Sequence, residues 1–188
     1  MRLKYYAGVL LLAGSGFACD NTNSPSETGM LRVMLRDTPF SDSRAVLVTF
    51  SEVSVHRTGG AFETLPFAAG ATSRTCDLKK LEAADDLLGT GPLTPGHYTQ
   101  IRLTVSAATL HFANPSTGSA CAPAIAAPAG ASAPVTVSSG TIILNREFDI
   151  EDDEVTTILL DFDGDGSIIE TGQGTYRMTP VIAVVSVT

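Results

Sequence analysis

The stretch Leu93-Thr-Pro-Gly-His-Tyr-Thr-Gln-Ile-Arg-Leu-Thr-Val105 leaves few folds open to this chain. It begins with a turn, Thr94 to His97. Pro95 presets φ near −65°, and Gly96 supplies the positive φ that a type II turn needs. The residues that follow alternate strictly. Ile101, Leu103 and Val105 point one way, and Gln100, Arg102 and Thr104 point the other. Such a segment is a β-strand with one face in a core and one in water.

The same alternation recurs along the chain. Residues 30–37 (MLRVMLRD) set Leu31, Val33 and Leu35 on one face, and the strand ends at Pro39. Residues 45–57 form a longer strand in which Val46, Val48 and Phe50 are out of phase with Val53 and Val55. The organising strand slips likewise at Ser106-Ala-Ala108, because Leu110 and Phe112 continue in the opposite phase. A one-residue slip would turn apolar side chains into water, and a β-bulge absorbs it while bending the strand. Both long strands are therefore expected to bulge and curl around one core. Shorter strands follow at 61–65, 135–138, 141–150, 155–163 and 176–187, the last bent at Pro180. Residues 77–88 (DLKKLEAADDLL) predict one or two helical turns, capped by Asp77 and stopped at Gly89-Thr-Gly91. Residues 113–134, rich in Ala, Pro, Gly and Ser, read as a long surface loop. About nine or ten regularly spaced strands predict an all-β, antiparallel sandwich or partly closed barrel with one short helical turn. It is read as a single domain over residues 29–188.

Composition adds location. With no Trp and 6% aromatic residues, the core must be aliphatic. The net charge of −8 disfavours nucleic acid and anionic lipid heads as partners. Residues 1–18 read as an export signal: Arg2 and Lys4, an apolar run far shorter than a membrane span, then small residues Gly16 and Ala18. Cleavage there leaves Cys19 first, which resembles the bacterial lipoprotein signal. That signal usually has Leu where this chain has Gly16. Lipidation of Cys19 would anchor the protein to a membrane, with residues 19–28 as a flexible tether. The mature chain would carry ten basic and twenty acidic side chains, a net −10. Cys76 and Cys121 then remain as an even pair in an oxidising compartment, which makes a disulfide between them one reading and two unpaired thiols the other.

The sharpest chemical feature is Asp161-Phe-Asp-Gly-Asp-Gly166. Asp161 and Asp163 share a strand face, Asp165 follows, and oxygen ligands so spaced suit Ca²⁺. The run opens like an EF-hand loop but has Gly172 at the twelfth position, where a bidentate Glu belongs. The competing reading is a hairpin turn, for which Asp-Gly is a strong signal. Glu151-Asp-Asp-Glu154 lies at the other end of the same strand and reads as a solvated turn. His56, His97 and His111 lack metal-ligand spacing, and no G-x-S-x-G elbow or phosphate-binding glycine loop occurs.

Four motifs, taken in order, carry a family resemblance. They are Leu35-Arg-Asp-Thr-Pro39, Leu93 to Leu103, Leu160-Asp-Phe-Asp163 followed by Ser167-Ile168, and Gly174-Thr-Tyr-Arg-Met-Thr-Pro-Val181. Together with Phe62 they resemble the bacterial family known as domain of unknown function 4382, often found in lipoproteins. The resemblance spans roughly residues 28–188 and implies a sandwich-like domain on the cell envelope, with no assigned activity. The Leu-x-Pro-Gly-x-Tyr turn is also similar to that of transthyretin-like sandwiches, a likeness of fold alone. The expectation is a non-enzymatic envelope lipoprotein, periplasmic or surface-exposed, with a binding or structural role and no cofactor. A Ca²⁺-dependent adhesion or glycan-binding module is the alternative, and an uncharacterised hydrolase stands third.

Overall fold

The computed structural model describes residues 27–38 and 40–188, so the segment read as an export signal, Cys19 and most of the stretch read as a tether lie outside the described residues. Two sheets face each other across one core. The first holds four strands in the order β13(Ile182–Val187), β10(Val155–Asp163), β1(Gly29–Thr38) and β5(Asp86–Leu93). The second is built on β2(Ala45–Arg57) and β6(Gly96–His111). Beside β6 run β8(Ser132–Val137) and β9(Thr141–Ile150), and beside β2 run β3(Phe62–Thr64) and β4(Arg74–Asp77). The outer members are β7(Cys121–Ala122), β11(Ile168–Gly172) and β12(Thr175–Met178).

The alternation becomes the core. Leu31, Val33 and Leu35 of β1 and Ile158, Leu160 and Phe162 of β10 are all fully buried against Val48, Phe50, Val53, Ile101 and Leu103 of the second sheet. Phe50 and Phe162 meet edge to face across the sheets, with centroids 6.4 Å apart. The sandwich is as predicted, but neither sheet closes into a barrel and the sheets are mixed. β1 pairs with β10, and β8 with β12, in parallel. The periodicity of a strand sets its faces and carries no information on its direction beside a distant partner, so parallel pairing was not legible.

Both phase slips are real and face each other. Thr49 pairs with Ala107, Phe50 with Val105, and Glu52 with Thr104, so Ser51 and Ser106 are each the extra residue of a bulge. Val46, Val48 and Phe50 are buried before it and Val53 and Val55 after it, so the slip keeps one apolar face inward along thirteen residues. The chain bends before β6 and Gly96 takes a positive φ as read, but at +144° it is already paired with Ile150 in the strand, so the bend is not the type II turn expected. Tyr98, fully buried two residues on, stacks on Phe148 and donates its hydroxyl to the Thr94 carbonyl at 2.9 Å. Burial, reinforced by Glu63, pushes its phenol up to about 12. Tyr98→Phe removes that donor and leaves the ring, so a loss of about 1 kcal/mol in urea unfolding is expected. An unchanged midpoint would mean the bond does not help hold the bend.

Four other local readings need correction. The 77–88 helix is limited to a 3-10 turn at Leu78–Lys80, capped by Asp77 as expected, after which Asp86–Leu93 is strand β5. Its two glycines do not stop a helix; Gly91 sits opposite Leu31 in the β1 pairing. Residues 113–134 are interrupted by β7 and by the start of β8, because Cys121 pairs opposite Cys76 on β4. The strand read over 176–187 is two strands in different sheets, separated at 179–181, where Pro180 takes the chain across. Finally, Gly164–Ser167 is a single helical turn, α1, rather than a hairpin, and it carries the chain from β10 into β11 of the other sheet.

Candidate functional site

Because β1 and β10 run parallel, their C-terminal ends arrive side by side. Arg36 is in register with Asp161, Asp37 with Phe162 and Thr38 with Asp163. Asp161 faces away from the core and pairs with Arg36 at 3.4 Å. Asp163 caps α1 by accepting the Gly166 N–H at 2.8 Å. Asp165 accepts the Ser41 N–H at 3.3 Å, which ties α1 to the connection between β1 and β2. Each of the three carboxylates singled out in the sequence thus has its own partner. Among the described residues, no three His, Cys, Asp or Glu side chains converge on one point.

A fourth carboxylate is buried beneath them. Asp37 is 6% exposed, and neither of its oxygens has a hydrogen bond of good geometry among the described residues. Burial pushes its carboxyl up to about 8; the nearby Gly164 N–H and, less strongly, Lys79 oppose this, while Glu82 and Asp161 reinforce it. Gly164 leaves room for this approach, since a Cβ would stand 3.2 Å from Asp37 Oδ1, the Phe40 nitrogen and the Thr38 carbonyl and would crowd all three. Sequence reasoning passed over Asp37, although it continues the inward face of Leu31, Val33 and Leu35.

On the other side of the β1–β2 connection lies a cleft of about 470 Å³. Its walls come from residues 41–44, from the Leu78–Lys80 turn and from the start of the 113–120 loop. Asp77 ties these segments together. It is 1% exposed and accepts from Val46 N at 3.0 Å, from Lys79 N at 3.2 Å and from Ser116 Oγ. Arg44, Lys79 and Lys80 line the cleft. Lys79 Nζ donates to the Phe40 carbonyl at 3.1 Å and pairs with Glu82. Lys80 Nζ donates to the Gly118 carbonyl at 2.8 Å. Ser43 also lines the cleft, and its buried hydroxyl has no partner among the described residues.

The wall at 113–120 is held by the disulfide between Cys76 and Cys121, which closes 45 residues of chain. Arg74 and Asp86 brace it. Asp86 Oδ2 accepts the Cys121 N–H at 2.8 Å, and Arg74 Nη2 reaches the Cys121 carbonyl at 3.3 Å. Of the histidines singled out in the sequence, His111 is buried at the end of β6 beside the cleft, its carbonyl accepting the Arg44 N–H at 2.7 Å, and the other two lie elsewhere. His97 pairs with Asp149 at 2.8 Å and His56 with Thr99 at 3.2 Å, both near the opposite end of β6. Residues 151–154 form an exposed turn between β9 and β10, with Asp153 at φ +58°. No helix among the described residues is long and apolar enough to cross a membrane.

Two facing sheets, a polar cleft and the Cys76–Cys121 cross-link define an all-β sandwich domain. Residues 28–180 match the family described as domain of unknown function (DUF4382), and the chain belongs to that family. Among solved structures, it is similar at 13% identity to a leucine-rich repeat protein from Bacteroides thetaiotaomicron, with a TM-score of 0.27 over 82% of this chain and 15% of that one. Comparison with curated proteins gives no match.

Proposed function

We propose that this domain is a non-enzymatic module of the bacterial cell envelope, anchored through a lipidated Cys19, and that it binds a ligand in the cleft beside Asp77. The observation that carries the binding reading is the cleft itself. Its volume of about 470 Å³ falls within the range of small-molecule sites. Its three walls are fixed by a buried carboxylate and a disulfide, so it is preorganised. Loops at one end of a sandwich are also where binding residues usually sit. The anchoring reading rests on residues 1–28 of the sequence.

Intact mass of envelope-extracted protein tests the anchor. Loss of residues 1–18, a mass increment of two or three acyl chains on Cys19 and a pair of oxidised cysteines are expected. An unacylated Cys19, or retention of the leader, would end the anchoring reading. The Ca²⁺-dependent alternative rests on Asp161, Asp163 and Asp165, each of which already has a protein partner. Millimolar Ca²⁺ is therefore expected to leave the melting temperature unchanged. A rise that Asp163→Ala abolishes would favour the adhesion reading instead.

A further inference from the structure

We propose that the cleft recognises a small molecule bearing a phosphate or sulfate group. This inference rests on the binding reading of the cleft and adds the chemistry of its ligand.

The argument is one of unspent donors. A guanidinium carries five N–H donors and an ammonium three. Among the described residues Arg44 has no ion-pair partner and its side chain makes no hydrogen bond, although it borders the cleft. Lys80 gives one bond to the Gly118 carbonyl and has no carboxylate partner among the described residues, which leaves two donors. Lys79 is shared with Glu82 but also donates to the Phe40 carbonyl, beside the 41–44 wall. The acidic member of the lining, Asp77, is 1% exposed, and both its oxygens already accept hydrogen bonds. The cleft thus gathers three cationic side chains in a chain whose net charge is −8. An acidic protein repels anions at long range, so a local cluster of this kind acts only at contact distance.

Phosphate and sulfate suit these donors better than a carboxylate does. A tetrahedral oxyanion presents three outward oxygens, which suit an arginine fork from one wall and ammonium groups from another. The cleft is also larger than a bare oxyanion requires, so it leaves room for the body that carries the group. A free phosphorylated sugar and the phosphate of a lipid head share this chemistry.

Titration of the full purified chain, followed by calorimetry, tests the proposal. The probes are inorganic phosphate, inorganic sulfate, glucose 6-phosphate, uncharged glucose, and vesicles of phosphatidylglycerol. The expected result is saturable binding of glucose 6-phosphate, weakened at least tenfold by Lys80→Gln and by Arg44→Gln and falling with added salt, with no binding of glucose. Binding of the vesicles alone, with the same sensitivity to both variants, assigns the phosphate to a lipid head. Ala113→Trp, which fills the cleft mouth without changing charge, must abolish the signal. Glucose binding that Ala113→Trp abolishes and the charge variants leave intact would overturn the anion assignment and keep the binding reading. Absence of binding by every probe, or anion binding indifferent to all three variants, would overturn the proposal. Thermal unfolding of each variant within a few degrees of wild type secures the comparison.

Discussion

Asp37→Asn will raise stability at pH 7 by roughly 2–4 kcal/mol and leave it nearly unchanged at pH 3. The sign follows from linkage. In the unfolded chain the Asp37 carboxyl titrates at its ordinary value of 3.8, whereas burial in the fold pushes it up to about 8. Between these values the unfolded chain has released a proton that the folded chain still holds. Stability of the wild type therefore falls as pH rises through this window, by up to about 1.4 kcal/mol per pH unit from this group. Below the window both states are protonated and the penalty is absent. Above it both are ionised and the penalty is constant. Asn is isosteric and uncharged throughout, so the difference between variant and wild type isolates the Asp37 contribution. The full product of shift and slope is an upper bound, because water penetration relaxes a buried charge. Urea unfolding of both proteins at pH 3, 5, 7 and 9 measures it. A difference independent of pH, or an Asn variant less stable at pH 7, would show that Asp37 is ionised and well accommodated in the fold.

That a family domain holds such a group bears on how its sequence can be read. The faces of the long strands were legible because apolar side chains repeat at period two, and the paired bulges at Ser51 and Ser106 were legible because the repeat changes phase there. Asp37 obeys the same repeat, but a carboxylate next to Thr38-Pro39 reads equally as the end of a strand. Part of its cover comes from Gly164, more than a hundred residues away, whose lack of a side chain lets α1 pack close to it. Strand β4 was missed for a related reason. Arg74-Thr-Cys-Asp77 is polar at both ends and shows no apolar alternation. It is buried because Asp86 lies 3.6 Å from Arg74, and because Val46, Lys79 and Ser116 satisfy Asp77. These partners are distant in sequence, and no local pattern announces them.

The cleft illustrates the same limit at the level of function. Residues 41–44 read as a connection, 77–80 as a helix start and 113–116 as loop, and each reading is locally reasonable. Only the topology sets Arg44, Lys79 and Lys80 around one concavity. The acidic run 161–165, which carried the stronger motif, is instead spread over a strand, a cap and a turn. Spacing along the chain suggested convergence there because a calcium loop folds back on itself, whereas here α1 carries the chain forward into the other sheet.

Removing the Cys76–Cys121 cross-link is the other change with a large expected effect. The bond closes 45 residues, and the chain-entropy account gives a loss of about 4 kcal/mol when it is absent. Most of that acts on the unfolded chain, which gains freedom. A Cys76→Ser, Cys121→Ser double variant should therefore lower the urea midpoint while raising the m-value slightly, as a less compact unfolded state exposes more surface. Part of the loss falls on the fold itself. Strand β7 has only two residues, and apart from its ladder with β4 it is held by Asp86 and Arg74. Without the cross-link, the wall of residues 113–120 keeps only its hydrogen bonds to order it, chiefly Ser116 to Asp77, Lys80 to the Gly118 carbonyl and the Asp77 N–H to the Ala120 carbonyl. Amide exchange should then quicken first in this wall, with the β2–β6 pair still protected. Uniform quickening across both sheets would show that the bond acts on global stability alone. A midpoint within about 1 kcal/mol of wild type would show that β7 is secured without it.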